Sequence, residues 1–187
     1  MPSSNEPLFR LIAGLGNPGR EYEDTRHNAG FMIADRLAQR AGVAFRLEPK
    51  WNAAIALAGG VILCKPQSFM NLSGEPIATV ARFYKVPAER ILAIFDDVAL
   101  PLGRIRIRPS GSSGGHNGME SILVHTGDIP RLRVGIGAAD GRPMVQHVLG
   151  KFLPVERPIL GEAIDRAIQA VDCLQHEGID AAMNQFN

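Results

Sequence analysis

The segment Ile91-Leu92-Ala93-Ile94-Phe95-Asp96-Asp97 consists of five apolar residues followed by two acids. A short apolar run of this kind is typical of a strand that is buried on both faces of a parallel sheet. The two acids then stand at the end of that strand, where α/β proteins place catalytic groups. We therefore expect an α/β domain whose functional site includes this strand end.

Strand and helix patterns alternate on both sides of this run. Strand patterns occupy 8–15, the two arms of a hairpin across Gly59-Gly60 within 51–65, 104–108 and 131–136. Helical spacing of apolar residues occupies 28–41, the residues that follow a capping Ser73, the residues after the glycine-rich loop near 110–115, 159–174, and a shorter stretch after Gly178. This order predicts one α/β domain over residues 1–187, with a twisted, mostly parallel or mixed β-sheet flanked by helices. Residues 1–7 are expected to be flexible.

The charge of the chain is balanced overall but unevenly distributed. The 187 residues carry 20 basic and 19 acidic side chains, for a formal net charge of +1. Residues 155–187 hold two arginines against six acids, which leaves 18 bases against 13 acids, or +5, on residues 1–154. Sixteen of the 20 cations are arginines, whose forked guanidinium matches phosphate oxygens. The larger part of the chain is therefore a candidate for an anion-binding face, with a solvated surface as the plain alternative.

The cysteines and the apolar runs bear on the cellular compartment. Cys64 and Cys173 form no CxxC pair, which argues for reduced thiols and against a structural zinc site. The first residues lack the pattern of a signal peptide, and no apolar run approaches the ~18 residues of a spanning helix. We expect a cytoplasmic protein that does not cross a membrane.

One glycine motif suggests a nucleotide-binding protein. Gly14-Leu15-Gly16-Asn17-Pro18-Gly19 matches the GxGxxG pattern of dinucleotide-binding proteins. In that pattern the third glycine opens a helix, whereas here Gly19 precedes a polar stretch and helical spacing begins only near Asn28. The acid about 20 residues downstream would be Asp35, which lies within that helix. We therefore reject the dinucleotide interpretation and take the glycines as a tight turn after a strand.

Four polar groups lie at the end of a strand or at a junction where a loop meets a helix. They are His27 in the segment Thr25–Gly30, Asn71 in the segment Phe69–Gly74, the Asp96-Asp97 pair, and His116-Asn117 in the segment Gly114–Gly118. Because such junctions meet at one edge of an α/β sheet, one cleft could gather all four.

Taken together, these blocks resemble the bacterial peptidyl-tRNA hydrolase family, whose members cleave the ester between a peptide and the 3′ end of its tRNA. The resemblance rests on GLGNPGxxYxxTRHNAG over residues 14–30, FMNLSG over 69–74 and GGHNG over 114–118, in this order, and extends to the closing residues 183–187. It implies a sheet wrapped by helices, no cofactor, no metal, and a catalytic His27 oriented by Asp96. It also implies release and recycling of tRNA, a role in ribosome rescue, and a monomer without an obligate protein partner.

The residue types suit this chemistry. Water that attacks an ester carbonyl needs a base with a pKa near neutrality, and imidazole has a pKa of about 6.5. Asp96, by accepting a hydrogen bond from the other ring nitrogen of His27, would fix the tautomer and stabilise the imidazolium. The attack leaves a negative oxygen that an amide group can stabilise.

Further roles follow from the resemblance residue by residue. It implies that Asn71 binds this oxyanion, and that Asn17 and Asn117 hold the peptide backbone and the 3′ end of the substrate. Tyr22 and Met70 match family positions that line the site. The plain alternatives are a cap or turn for each asparagine, and core packing for Tyr22 and Met70.

A basic strand face is the candidate contact for the acceptor end and the 3′ CCA of the tRNA. Arg104, Arg106 and Arg108 share one face by alternation. The resemblance implies that Arg106, Arg108 and Arg133 bind a phosphate. On the strand that carries Arg106 and Arg108, family members usually have lysine. The alternative is a solvated edge strand whose charges discourage aggregation.

Two positions depart from the family pattern. Ala99 stands where the family usually has another acid, and Glu120 where it usually has a base. Neither touches the expected chemistry, but Glu120 weakens the basic character of its helix. Binding of tRNA should then rely more on the three arginines.

Three other functions remain open from the sequence. A nucleophilic hydrolase would use Ser68, Ser73 or Cys64, but the sequence has no GxSxG elbow and Cys64 lies in an apolar strand. A metal hydrolase would need HxxxH or HExxH spacing, which is missing. A non-catalytic RNA-binding module would keep the basic face without hydrolysis. His116 is expected to be a structural histidine that bonds its glycine loop rather than a second base.

Overall fold

A computed structural model describes residues 6–187 of the chain. Seven strands are present among these residues, β1 Leu11–Gly14, β2 Arg46–Glu48, β3 Ala53–Ala58, β4 Val61–Pro66, β5 Ile91–Asp97, β6 Ile105–Arg108 and β7 Arg131–Gly135. The α-helices are α1 Ala29–Ala41, α2 Gly74–Phe83, α3 Asn117–Thr126, α4 Met144–Val148, α5 Arg157–Glu177 and α6 Ile179–Phe186. Short 3₁₀ turns precede several of these elements, including Arg26–Asn28 before α1.

All seven strands form one mixed sheet in the order β2-β3-β4-β1-β5-β7-β6. The central pairs β4–β1, β1–β5 and β5–β7 are parallel, and the pairs nearer the two edges are antiparallel. The predicted α/β sheet flanked by helices is therefore confirmed. The hairpin at Gly59-Gly60 is confirmed as well, because β3 and β4 pair antiparallel on either side of these glycines. Both glycines have positive φ (56° and 86°), as a two-residue turn of the type I′ class requires.

The strand β5 runs through the middle of the core, and its side chains alternate between the two faces of the sheet. Leu92 and Ile94 join the apolar cluster on the face covered by α1, α5 and α6. Ala93 and Phe95 join the cluster on the face covered by α2 and α3. The same alternation assigns Asp96 and Asp97 to opposite sides at the end of the strand.

Two glycines of the block 14–30, Gly14 and Gly30, allow α1 to pack directly on the end of β1. A Cβ atom on Gly14 would lie 2.2 Å from the carbonyl oxygen of Gly30, and one on Gly30 would lie 2.3 Å from that of Ile94. Both distances are too short for any side chain, so glycine is required for close approach at both positions. This contact brings His27, just before α1, to the carboxyl end of β5.

The structure differs from the sequence predictions in a few places. Ser73 precedes α2 as expected, but its hydroxyl donates to the carbonyl oxygen of Met70 (2.8 Å) rather than capping the helix. The elements β2 and α4 were not predicted. Of the segment predicted to be flexible, residues 1–5 lie outside the described residues, while Arg90 donates hydrogen bonds to the carbonyl of Pro7 and to Glu6. In the described part of the chain, no helix has the length and apolar character needed to cross a membrane.

Candidate active site

His27 and Asp96 form a buried hydrogen-bonded pair at the end of β5. The Nδ1 atom of His27 lies 2.8 Å from Oδ2 and 3.0 Å from Oδ1 of Asp96. Asp96 is 2% exposed and His27 is 9% exposed. Within residues 6–187, Nε2 of His27 has no hydrogen-bond partner. A ring that donates its Nδ1 proton to a carboxylate keeps a lone pair on Nε2, which suits it to act as a base.

His116 is a second partner of the same carboxylate. Its Nε2 lies 2.8 Å from Oδ1 of Asp96, and its Nδ1 accepts a hydrogen bond from the backbone N–H of Met119 at the start of α3 (3.2 Å). An acceptor at Nδ1 places the proton of the neutral ring on Nε2, which therefore donates to Asp96. Because both ring nitrogens are occupied, His116 is not available as a second base. The sequence analysis expected this side chain to bond the glycine loop, whereas the structure places its hydrogen bonds on Met119 of α3 and on Asp96.

The two histidines determine the ionisation of Asp96. Burial alone would raise the pKa of this carboxyl group. The charges and N–H groups of His116 and His27 outweigh that effect and hold the pKa of Asp96 well below its usual range. The carboxylate is therefore ionised at neutral pH and carries the negative charge that faces both imidazole rings.

The cluster of His27, Asp96 and His116 resembles a metal site in composition, since its ligand atoms lie within 4.8 Å of one another. Coordination through Nε2 of His116 would move the ring proton to Nδ1. That proton would then face the N–H of Met119, so the cap of α3 would be lost. The hydrogen bonds of this cluster fit a proton-transfer site better than a metal site.

The residues of the nucleophilic alternative are placed unfavourably for catalysis. Burial raises the pKa of the Cys64 thiol to about 12, so it would stay protonated. The Ser73 hydroxyl donates to a backbone carbonyl. Ser68 is buried and lines a separate small cavity beside Trp51. Among residues 6–187, none of these three side chains hydrogen-bonds a histidine.

Asn17 is held in a network that fixes the loop after β1. Its Oδ1 accepts from the backbone N–H of Met70 (2.8 Å), so only its Nδ2 remains to donate to a substrate. The Asn28 side chain bonds the backbone N–H and C=O of Asn17 (2.9 and 3.0 Å). Met70 is 4% exposed and belongs to the core cluster, which favours the packing alternative for its side chain.

The remaining candidate groups are more exposed. Asn71 lies in the 3₁₀ turn Met70–Leu72 with an exposed side chain, and its amide makes no hydrogen bond within the described residues. Asn117 is the first residue of α3 and is exposed. Tyr22 is half-buried and meets the ring of Phe69 edge to face, with centroids 6.5 Å apart.

A cavity of about 480 Å³ opens beside the pair formed by His27 and Asp96. Its polar lining includes His27, Asp96, Asn117, the loop 110–115, Arg108 and Arg133, and its apolar wall includes Val98, Met144, Val145 and Val148. The structure thus brings His27, Asp96 and Asn117 together with two of the three predicted phosphate-binding arginines. The other predicted residues, Asn17, Tyr22, Met70, Asn71 and Arg106, are not among the described residues that line it.

The arginines of β6 and β7 share one face of the sheet but differ in their partners. Arg106 pairs in register with Arg133, and Arg108 with Arg131. Arg106 is exposed and Arg108 is half-buried. Arg131 is buried and donates to the carbonyls of Gly111 and Ser112 (2.8 and 2.9 Å), so it holds the loop above the cavity. The Nη1 atom of Arg133 lies 2.9 Å from Oδ2 of Asp97.

Two functional contacts were missed by the sequence analysis. Asn28 follows His27 directly and was taken only as a helix start, although its amide fixes Asn17. Arg26 is 1% exposed and pairs with Glu156 (2.7 Å), which ties the turn that carries His27 to the segment before α5. The available signal was Arg26 itself, a charged residue directly before the candidate catalytic His27.

Comparison with known proteins places the chain in a family. The family model described as peptidyl-tRNA hydrolase matches residues 11–187. A peptidyl-tRNA hydrolase of Synechococcus sp. (strain JA-2-3B'a(2-13)) is 47% identical over 98% of this chain and 85% of its own length. One from Caldanaerobacter subterraneus subsp. tengcongensis is 49% identical, with 95% of this chain and 98% of the relative covered. The crystal structure of peptidyl-tRNA hydrolase from Acinetobacter baumannii superposes with a TM-score of 0.89 at 38% identity and covers 96% of this chain and 95% of that one. These matches span nearly the whole chain, which therefore belongs to the peptidyl-tRNA hydrolase family.

Proposed function

We propose that this chain hydrolyses the ester between the peptide and the 3′ end of tRNA in peptidyl-tRNA, and so releases the tRNA for reuse and supports ribosome rescue. In the first step, Nε2 of His27 takes a proton from a water molecule as the water oxygen attacks the ester carbonyl carbon. The tetrahedral intermediate then collapses and the bond to the 3′ oxygen of the tRNA breaks. His27 returns its proton to that oxygen, so the ring ends the cycle neutral.

The observation that carries this proposal is the unequal use of the two nitrogens of His27. Nδ1 is engaged by Asp96 (2.8 Å), whereas Nε2 has no partner within residues 6–187 and the ring lines the large cavity. This arrangement provides a base with a fixed tautomer at the edge of a space that a substrate can enter. The relatives are named peptidyl-tRNA hydrolases, and these names support the choice of ester.

The asparagine side chains of the site are proposed to contact the substrate. Asn71, whose amide is exposed, is proposed to bind the oxyanion, where a placed donor stabilises developing charge. Asn117, on the cavity wall, is proposed to hold the 3′ end, and Nδ2 of Asn17 the peptide backbone. Tyr22 is proposed to flank the peptide beside Phe69.

The tRNA is proposed to lie across the basic wall of the cavity. Arg108 and Arg133 line the cavity, and Arg106 extends the same face across the β6–β7 pair. We place the 3′ CCA between this wall and His27, with a phosphate of the acceptor end on the arginines. We further propose that the enzyme acts as a monomer in the cytoplasm, where the free thiols of Cys64 and Cys173 would stay reduced.

The test is release of the acyl-amino acid from an N-acetyl-aminoacyl-tRNA by the purified chain, compared with the same protein carrying His27→Asn. We expect multiple turnover by the wild-type protein and loss of turnover in the variant, with tRNA binding retained in both. A non-catalytic RNA-binding module would bind the tRNA without release by either protein. Equal release by both proteins would remove His27 from the reaction.

A further inference from the structure

The two acids at the end of β5 have separate partners. Asp96 bonds His27 and His116, whereas Asp97 turns to the opposite face, where the arginines of β6 and β7 lie. Oδ2 of Asp97 accepts from Nη1 of Arg133 (2.9 Å), and its Oδ1 accepts from the backbone N–H of Ala99 (2.8 Å). With both oxygens engaged, the Asp97 carboxylate has a fixed orientation.

The Arg133 side chain is partly buried, and within residues 6–187 its guanidinium is hydrogen-bonded through Nη1 alone. Its side chain is 25% exposed, against 12% for Asp97, and its buried Nε has no hydrogen-bond partner within residues 6–187. Asp97 is the acid that pairs with Arg133 in the described residues, because Asp128 pairs instead with Arg131. The Nη2 group of Arg133 remains available at the cavity wall.

An acid beside a phosphate-binding arginine has two opposite effects. Its negative charge lowers the local positive potential and so weakens attraction of any phosphate. Its hydrogen bond also holds the flexible guanidinium in one orientation, which reduces the conformational entropy that is lost when the phosphate binds. The structure favours the second effect here, since the carboxylate is itself fixed by the turn at Ala99.

We propose that Asp97 is a positioning residue for tRNA binding, because its contact with Arg133 and Ala99 fixes the guanidinium at the cavity wall in the orientation that receives a phosphate of the acceptor end. This inference rests on the proposed function, in which Arg133 binds that phosphate. It separates the adjacent acids by role, with Asp96 serving the catalytic histidine and Asp97 serving the tRNA.

The test compares Asp97→Asn with Glu120→Gln, measured as the Kd for a deacylated full-length tRNA transcript. Both variants remove one negative charge, but Glu120 is exposed on α3 and its side chain makes no hydrogen bond within residues 6–187. Glu120→Gln therefore reports the effect of charge alone and should tighten binding. Asp97→Asn should weaken binding by roughly three- to ten-fold, because an amide can accept from Ala99 but no longer forms a charged pair with Arg133. Asp97→Glu, which keeps the carboxylate, should recover part of the loss.

Arg133→Gln separates this inference from the proposed function. It should weaken tRNA binding by itself, and adding Asp97→Asn to it should then produce no further weakening. The ratio of kcat/KM for full-length substrate to that for an acylated CCA fragment should fall in Asp97→Asn. Tighter tRNA binding in Asp97→Asn, or unchanged binding while Arg133→Gln weakens it, would overturn the role of Asp97 alone. Unchanged binding in Arg133→Gln would overturn both the phosphate contact and the role of Asp97.

Discussion

His116 donates a hydrogen bond from Nε2 to Oδ1 of Asp96 over 2.8 Å, and so shares the carboxylate that orients His27. A carboxylate that accepts two N–H groups is a weaker acceptor for each of them. His116 therefore limits how strongly Asp96 stabilises the His27 imidazolium.

Replacement of His116 should leave the Asp96 carboxylate to accept from His27 alone. We expect His116→Asn to move the acidic limb of the kcat/KM profile to higher pH, because Asp96 then acts on His27 alone. Asparagine is chosen because it can still cap α3. Asp96→Asn should move the same limb to lower pH and remove most of the activity, since a neutral amide no longer favours the imidazolium. An acidic limb that stays in place in His116→Asn would show that His116 serves only the helix.

Ionisation of Asp96 should make the fold sensitive to acid. Its pKa is lower in the folded chain than the value of about 3.9 expected for an unfolded chain. Its stabilising contribution is therefore complete above about pH 5 and is lost as the pH falls through and below 4. Urea unfolding of the wild-type protein and Asp96→Asn should show a difference in free energy that shrinks between pH 6 and pH 3. A difference that stays constant over this range would contradict the lowered pKa.

The asparagines should separate turnover from affinity. Loss of an oxyanion donor slows the reaction of the bound substrate. Asn71→Ala should therefore reduce kcat by about 10²- to 10³-fold with little change in KM. Asn117→Ala should instead raise KM, because a ground-state contact is lost. Steady-state kinetics on one N-acetyl-aminoacyl-tRNA distinguishes these patterns. Unchanged kcat with raised KM in Asn71→Ala would move this residue to the binding group.

The buried pair of Arg26 and Glu156 should matter for stability. Arg26 is 2% exposed in its side chain and Glu156 is 22% exposed, so Glu156→Ala leaves a buried guanidinium without its counter-charge. We expect a loss of about 3 kcal/mol in the free energy of unfolding. Asp165→Ala is the matched control, since its pair with Arg36 is exposed (59% and 52%) and should change stability by about 0.5 kcal/mol or less. Equal effects in urea unfolding would argue against a structural role for the buried pair.

The sequence was sufficient to predict the strands, turns and helices whose pattern lies within a few consecutive residues. The apolar run at 91–95, the Gly59-Gly60 turn and the helical spacing of residues 28–41 each carry their structure within a few residues. The pairing of His27 with Asp96 came from family resemblance, and the structure places the two side chains in contact.

The remaining features depend on contacts between distant parts of the chain. The strand β2 has three residues and α4 has five, too few for a periodic pattern. The helix α4 is held by its buried His147, whose Nε2 lies 2.9 Å from the carbonyl oxygen of Gly137. The links from His116 to Asp96 and from Arg133 to Asp97 join residues 20 and 36 positions apart. Strand alternation predicted a shared arginine face, but it could not predict that Arg131 is used to hold a loop.

The most direct test of the central assignment is the single-turnover rate of acyl release by His27→Ala, with tRNA binding measured in parallel. The matched control is His176→Ala, which removes an exposed histidine from the end of α5 and should retain the wild-type rate. If His27 is the base, His27→Ala should fold, bind tRNA with wild-type affinity and lose about 10²- to 10⁴-fold in rate. A rate near that of the wild-type protein in folded His27→Ala would contradict the assignment.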